Sequence, residues 1–355
     1  MLKKAAAVFF VCASVATWIG CGSTSSHYVY ATIPAANQVQ VYREDPNSGV
    51  LTALSGSPFT AGLAAQSLVV HPSKKFLYVA NSGESDVSLF TIASTGALTE
   101  VTPRTAVSIT PILLAMDSAG SFLFVANAGT DSISAFSINS TSGALTPVSG
   151  SPFPIGMIPL NMKLSPSGNF LYVSGAASSG VVQAFAVNAG VPFLKPLAGS
   201  PFTAGTNPYG LAIDPSGAHL YVANLGDNSI SEFTIGSNGV LAQISGSPLG
   251  ESFSAPVSLL VDPSGKYLYV ANEGSSNIAA YTIASGGSLT TLSNSPFTTG
   301  SQPSFIAADP SGKYLLVGSQ SGGIQVFGLN SSNGTLTSVA TYSAGNTPTS
   351  IAVTQ

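Results

Sequence analysis

Asp262-Pro-Ser-Gly-Lys-Tyr-Leu-Tyr-Val-Ala-Asn272 reads as a tight turn running into a short buried strand. Proline fixes φ early in the turn, glycine accepts φ > 0 at its end, and Asp can bond backbone N–H groups two residues on. The phrase recurs at 71–81 (HPSKKFLYVAN), 117–127 (DSAGSFLFVAN), 165–175 (SPSGNFLYVSG), 214–224 (DPSGAHLYVAN) and 309–319 (DPSGKYLLVGS). The starts lie 46, 48, 49, 48 and 47 residues apart, so the chain is built on a repeat of about that length. A second phrase, Leu-Thr followed by Ser-Gly-Ser-Pro-Phe, marks the far end of the unit at 51–59 and 145–153, with degraded copies at 197–202, 241–249 and 289–297.

Each unit resolves into four strands. An apolar run such as Gly210 to Ile213 precedes the turn, and Leu-Tyr-Val-Ala follows it. After an Asn-x-Gly loop come a third strand, as at 276–283, and a fourth, as at 287–292. The runs are short, β-branched or aromatic, and bounded by Gly, Pro, Asn and Ser. Four antiparallel strands in such a unit define a propeller blade. The ends complete the count. Tyr28 to Thr32 (YVYAT) matches Leu77 to Asn81 without a preceding first strand, and Pro348 to Thr354 (PTSIAVT) matches Pro208 to Asp214 with nothing after it. The expected fold is therefore all-β: a seven-bladed β-propeller over residues 27–355, closed when the C-terminal strand pairs into the N-terminal blade. Closure removes two open sheet edges, which otherwise invite aggregation.

The composition agrees. Of the 355 residues only 7% are charged and 45% hydrophobic, and 37 are Gly. Blades bury both faces of their sheets, which confines charge to the loops. Ten Lys and Arg spread along the chain form no basic stripe, which excludes nucleic-acid binding. Two Cys and three His leave no Cys-rich metal site, and neither a metal nor a cofactor is expected.

Residues 1–20 read as an export signal. Lys3 and Lys4 precede an apolar run from Ala5 to Ile19, too short for an ordinary membrane span. The run ends Trp18-Ile19-Gly20-Cys21, which resembles a bacterial lipobox. That likeness implies acylation of Cys21, a tether over 21–26, and a chain held in the cell envelope by its lipid anchor only.

The Tyr-Val-Ala-Asn phrase at 78–81, 221–224 and 269–272 resembles the YVTN class of seven-bladed propellers. The longer Asp-Pro-Ser-Gly-Lys-Tyr-Leu-Tyr-Val phrase is similar to the lactonase family related to 6-phosphogluconolactonase. This resemblance spans residues 27–355 and implies the propeller fold and, for the family's enzymes, hydrolysis of sugar lactones. Those enzymes carry histidines before a first strand and Asp-Leu-Gly-x-Asp-Arg after the second. Here the best match has Tyr209 and Gly210 in place of histidine, Asn224 in place of the Asp and Ser229 in place of the Arg.

Ligands of propellers gather on the face shared by the second-to-third-strand loops and the inter-blade loops. The residues expected there are Asn81, Glu84, Asp86, Asn127, Asp131, Asn224, Asp227, Asn272 and Glu273. They suggest an acidic funnel for a neutral polyol, a peptide or a cation, with a small polar ligand, a polysaccharide or an envelope protein as the partner. The competing reading makes the Asn residues strand-end caps and the carboxylates a solvated surface. Asp227 and Glu273 are the candidates for a general base on water. His27, His71 and His219 read as turn or surface residues, and no serine has a histidine set to activate it. Tyr78, Tyr172, Tyr221 and Tyr269 read as packing between blades. These features favour a monomeric binding or scaffold propeller, with a sugar-lactone hydrolase as the alternative.

Overall fold

The computed structural model describes residues 27–176, 180–188, 190, 193–250 and 254–354. The expected signal, Cys21 and the tether lie outside them. Seven antiparallel sheets are arranged as blades, here numbered 1 to 7 from the N-terminus. Blade 2 shows the plan. Its strands run from the channel outward as Ala65–Val70, Phe76–Asn81, Asp86–Ile92 and Leu98–Ala106. Blade 1 is assembled from both ends of the chain: inner strand Ser350–Val353, then His27–Ile33, Gln38–Glu44 and Leu51–Ala53. The inner strand Ser350–Val353 touches those of blades 7 and 2 and closes the ring.

Closure also rebuilds the repeat's turn from two chain ends. Inside a blade, Asp262 Oδ1 accepts the N–H groups of Lys266 and Tyr267, and Asp262 Oδ2 accepts that of Ser264. In blade 1, Thr354 Oγ1 takes the Asp role and accepts the N–H of Tyr28. The pairing corrects the expected match by one residue. Tyr30 pairs with Ala352 as Tyr78 pairs with Val69, and Ile33 rather than Thr32 stands where blade 2 has Asn81. The observed register places Tyr30 at the tyrosine position of the repeat, where the expected match had Val29.

Seven apolar clusters form the core, one between each pair of adjacent blades. Tyrosines fix the blade spacing. The hydroxyl of Tyr30 donates to the Gly96 carbonyl, Tyr78 to Gly143, Tyr172 to Gly239, Tyr221 to Gly287 and Tyr269 to Gly334, always in the next blade. These rings are fully buried, and burial raises the pKa of each phenol far above its ordinary value.

The Ser-Gly-Ser-Pro-Phe phrase has a structural meaning. In five blades the outer strand is broken in two, as at Leu145–Pro147 and Phe153–Pro154, and both pieces pair with the same third strand. The third strand's N–H at the break donates to a serine hydroxyl: Val41 to Ser57, Ala135 to Ser151, Ala184 to Ser200, Glu232 to Ser247 and Ala280 to Ser295. Blades 2 and 7 lack the phrase, and their outer strands Leu98–Ala106 and Leu336–Ser343 run unbroken.

One buried charge breaks the pattern in the core. Glu232 faces Tyr221 across the sheet, where the other blades have Val41, Leu89, Ala135, Ala184, Ala280 and Val326. It is 3% exposed, and burial raises its pKa above the ordinary Glu value. A carboxyl that binds its proton more tightly when folded makes the native state lose stability as pH rises through its window. Glu232→Gln is therefore expected to melt a few degrees higher than the natural chain at pH 7, with the gain vanishing below pH of about 4. Thermal scans at both pH values check this; an equal difference at both would contradict it.

Candidate functional site

The upper face carries the second-to-third-strand loops. Asn81, Asn127, Asn224 and Asn272 end their strands fully or almost fully buried. Each side-chain amide bonds to its own hairpin: Asn81 to Asp86 and Ser88, Asn127 to Ser132 and Ser134, Asn224 to Ser229 and Ser231, Asn272 to Asn277. These amides cap turns.

The carboxylates are spread over blades 2, 3, 5 and 6. Glu84 Oε2 accepts the Leu63 N–H, and in blade 5 Asp227 Oδ2 accepts the Thr206 N–H in the same way. That bond holds Asp227 below the ordinary carboxylate range. In both blades the loop passes so near that a glycine is required. A Cβ on Gly62 would lie 2.4 Å from the Asn81 side chain, and one on Gly205 2.6 Å from that of Asn224. Arg104 joins Glu84, Asp86 and Glu100, the last at 2.7 Å, so part of the acidity of blade 2 is offset within the blade. Asp131 occupies a left-handed turn position at φ 48°.

Glu273 is placed differently. Its Oε1 accepts a bond of 2.8 Å from Gln320 Nε2 of blade 7. Its charge also acts on Tyr209, whose pKa is raised first by burial and then by Glu273. Tyr209 lines the central channel, near the start of its inner strand, so Glu273, Gln320 and Tyr209 gather at the upper mouth.

The channel encloses about 400 Å³ between the inner strands. A belt of serines stitches those strands together. Ser350 accepts the Leu68 N–H, Ser67 that of Leu114 and Ser258 that of Ile306, each in the next blade. Below the belt stands Lys163, the only charged residue among those lining the channel. The other blades place Val69, Ala115, Ala212, Leu260, Ala307 and Ala352 at its position. Lys163 makes no ion pair among the described residues. Solvent reaches it along the channel, yet protein walls surround it, and this loss of bulk water lowers its pKa. Lys163 also borders a cleft of about 190 Å³ with Asp214 and Pro215 at the channel's lower end.

Sequence reasoning passed over Lys163. The signal for it is a lysine in an apolar first strand, Asn161-Met-Lys-Leu164, where the other copies are aliphatic. The histidines need correction. They lie at turns, but His27, His71 and His219 are 8%, 5% and 9% exposed and so are not surface residues. His71 bonds Ser73 and the Gly120 carbonyl, and His219 bonds Asp214 at 3.2 Å, because the turn of one blade tucks against the next.

The family of lactonase seven-bladed β-propellers matches this sequence over residues 22–156, 120–203, 150–247, 191–296 and 250–353, and the chain belongs to that family. Among solved structures it is similar to a provisionally named 6-phosphogluconolactonase from Bacteroides fragilis, with 21% identity and a TM-score of 0.82 over 94% of this chain and 99% of that one. It is also similar to the periplasmic gluconolactonase of Pseudomonas aeruginosa, with 18% identity and a TM-score of 0.76 over 93% and 99%. A functionally unknown protein from Desulfotomaculum acetoxidans shares the fold at 16% identity and a TM-score of 0.72, covering 92% of this chain and 98% of that one. No curated protein matches the chain.

Proposed function

We propose that the chain is an envelope propeller, anchored by a lipid on Cys21, that binds a small organic anion in its central channel. The observation that carries this reading is Lys163, a cation with no ion pair among the described residues, in a channel whose other described lining groups are uncharged. A carboxylate entering there would meet a positive charge that has no ion-pair partner among the described residues. The lipobox supports the envelope address. Gluconate is a suitable probe, titrated calorimetrically into the chain. Lys163→Met keeps the length of the side chain and is expected to weaken binding at least tenfold. Unchanged affinity in that variant, or no heat with the natural chain, would refute the reading.

A second reading, a sugar-lactone hydrolase, is favoured by Glu273 beside Tyr209 and Gln320 at the mouth. In that chemistry a carboxylate takes a proton from water as the water oxygen attacks the lactone carbonyl. The ring C–O bond then breaks to leave a carboxylate and a hydroxyl. Glu273 suits the base role better than Asp227, whose basicity the Thr206 N–H reduces. Hydrolysis of gluconolactone and of its 6-phosphate above the spontaneous rate, lost in Glu273→Gln, would select this reading.

A further inference from the structure

The seam of the ring contains a cluster that the repeat does not require. Glu44 ends the third strand of blade 1. At that position the other blades carry Ile92, Ile138, Val187, Ile235, Ile283 and Leu329, all aliphatic. The Glu44 side chain is fully buried, and neither carboxylate oxygen has a hydrogen-bond partner. His27 Nδ1, also buried without a hydrogen bond, lies 3.5 Å from Glu44 Oε2 and 3.9 Å from Asp309 Oδ2. The three donor atoms lie within 4.8 Å of one another.

Two buried carboxylates side by side are costly without a cation between them. His27 Nδ1 lies too far from both carboxylates for a hydrogen bond, and its spacings of 3.5 and 3.9 Å approach the edge of a tetrahedron around zinc, about 3.4 Å for ligand bonds of about 2.1 Å. Asp309 is already oriented: its Oδ1 accepts the Tyr314 N–H and its Oδ2 the Ser311 N–H. Such support from outside the ligand set is what metal carboxylates ordinarily have. A polar cleft of about 210 Å³, lined by Arg43, Asp45 and Asn47, borders Glu44 and offers a route from solvent.

We propose that His27, Glu44 and Asp309 bind one first-row divalent cation, Zn²⁺ foremost, which clamps the N-terminal strand of blade 1 to the turn of blade 7. One imidazole and two carboxylates suit zinc better than calcium, which takes six to eight oxygens. The remaining coordination positions fall to water. The ion would be structural, since it lies among turns of the lower face, away from the upper mouth and Glu273.

The test uses the untagged full chain in detergent, stripped with a chelator and then titrated with Zn²⁺ alone. One Zn²⁺ per chain and a higher melting temperature with the ion are expected. Glu44→Leu restores the residue type of the other blades, so it should fold and lose the site. Asp309→Asn keeps an acceptor for the Tyr314 N–H and should weaken Zn²⁺ binding at least a hundredfold. Absence of stoichiometric Zn²⁺ in the natural chain would overturn the proposal. So would Zn²⁺ retained at equal affinity in both variants, which would place the ion elsewhere.

Discussion

Deleting residues 348–355 is expected to leave a chain that aggregates or fails to fold. The deletion removes the strand Ser350–Val353, whose pairing with Val29 to Thr32 joins the two ends of the chain in one sheet. It uncovers Val29, Tyr30 and Ala31, all fully buried. It also takes the Thr349 hydroxyl from the Gln66 carbonyl, the Ser350 hydroxyl from the Leu68 N–H and Ile351 from the cluster between blades 7 and 1. Lost burial and unmade backbone bonds together cost about 5 kcal/mol or more, comparable with the whole stability of an ordinary domain. Size-exclusion chromatography and a thermal melt check it. A truncated chain that stays monomeric with an unchanged melt would refute closure by the C-terminal strand.

The second large effect is expected at Gly334, whose carbonyl receives the Tyr269 hydroxyl at 2.8 Å. Gly334 has φ +73°, and a Cβ there would lie 2.5 Å from the ring of Tyr267. Gly334→Ala carries a left-handed backbone penalty of about 1–2 kcal/mol, and it must also displace a buried aromatic ring. A total of about 3 kcal/mol, or roughly 5 °C of melting temperature, is expected. Gly246→Ala separates the two causes. Its φ is +91° but nothing lies within 4 Å of the added carbon, so only the backbone penalty applies. Equal losses in the two variants would show that ring contact contributes nothing.

The fold was legible because one phrase carries both a turn and a buried strand and is repeated at even spacing. The closure was legible because each end of the chain carries the part the other lacks. The exact register of blade 1 was not, since Ile33 leaves no Asn to mark the strand's end. The packing role of Tyr78, Tyr172, Tyr221 and Tyr269 followed from their position in the repeated strand, although their glycine carbonyl partners emerge only once blades are stacked.

The site was harder to read. Asn81 and its counterparts are visible in the sequence as a ladder, and the structure spends their amide groups on turns. The informative residues are those that break the repeat: Glu44, Glu232 and Lys163 each place a charge where the other copies are apolar. The mismatch becomes visible only when strand pairing assigns equivalent positions, because first and third strands vary too much to be aligned by eye.

The way the chain enters the ring has a mechanical consequence. His27 begins the second strand of blade 1 at the lower face, beside the turn that Thr354 completes. A pull on the preceding segment would act along His27–Ile33, which is hydrogen-bonded on both flanks, to Gln38–Glu44 and to Ser350–Val353. The force would load these bonds together in shear instead of peeling them one by one. An attachment at this end would therefore draw on the strongest direction of the sheet, and the upper mouth of the channel lies at the opposite end of that strand.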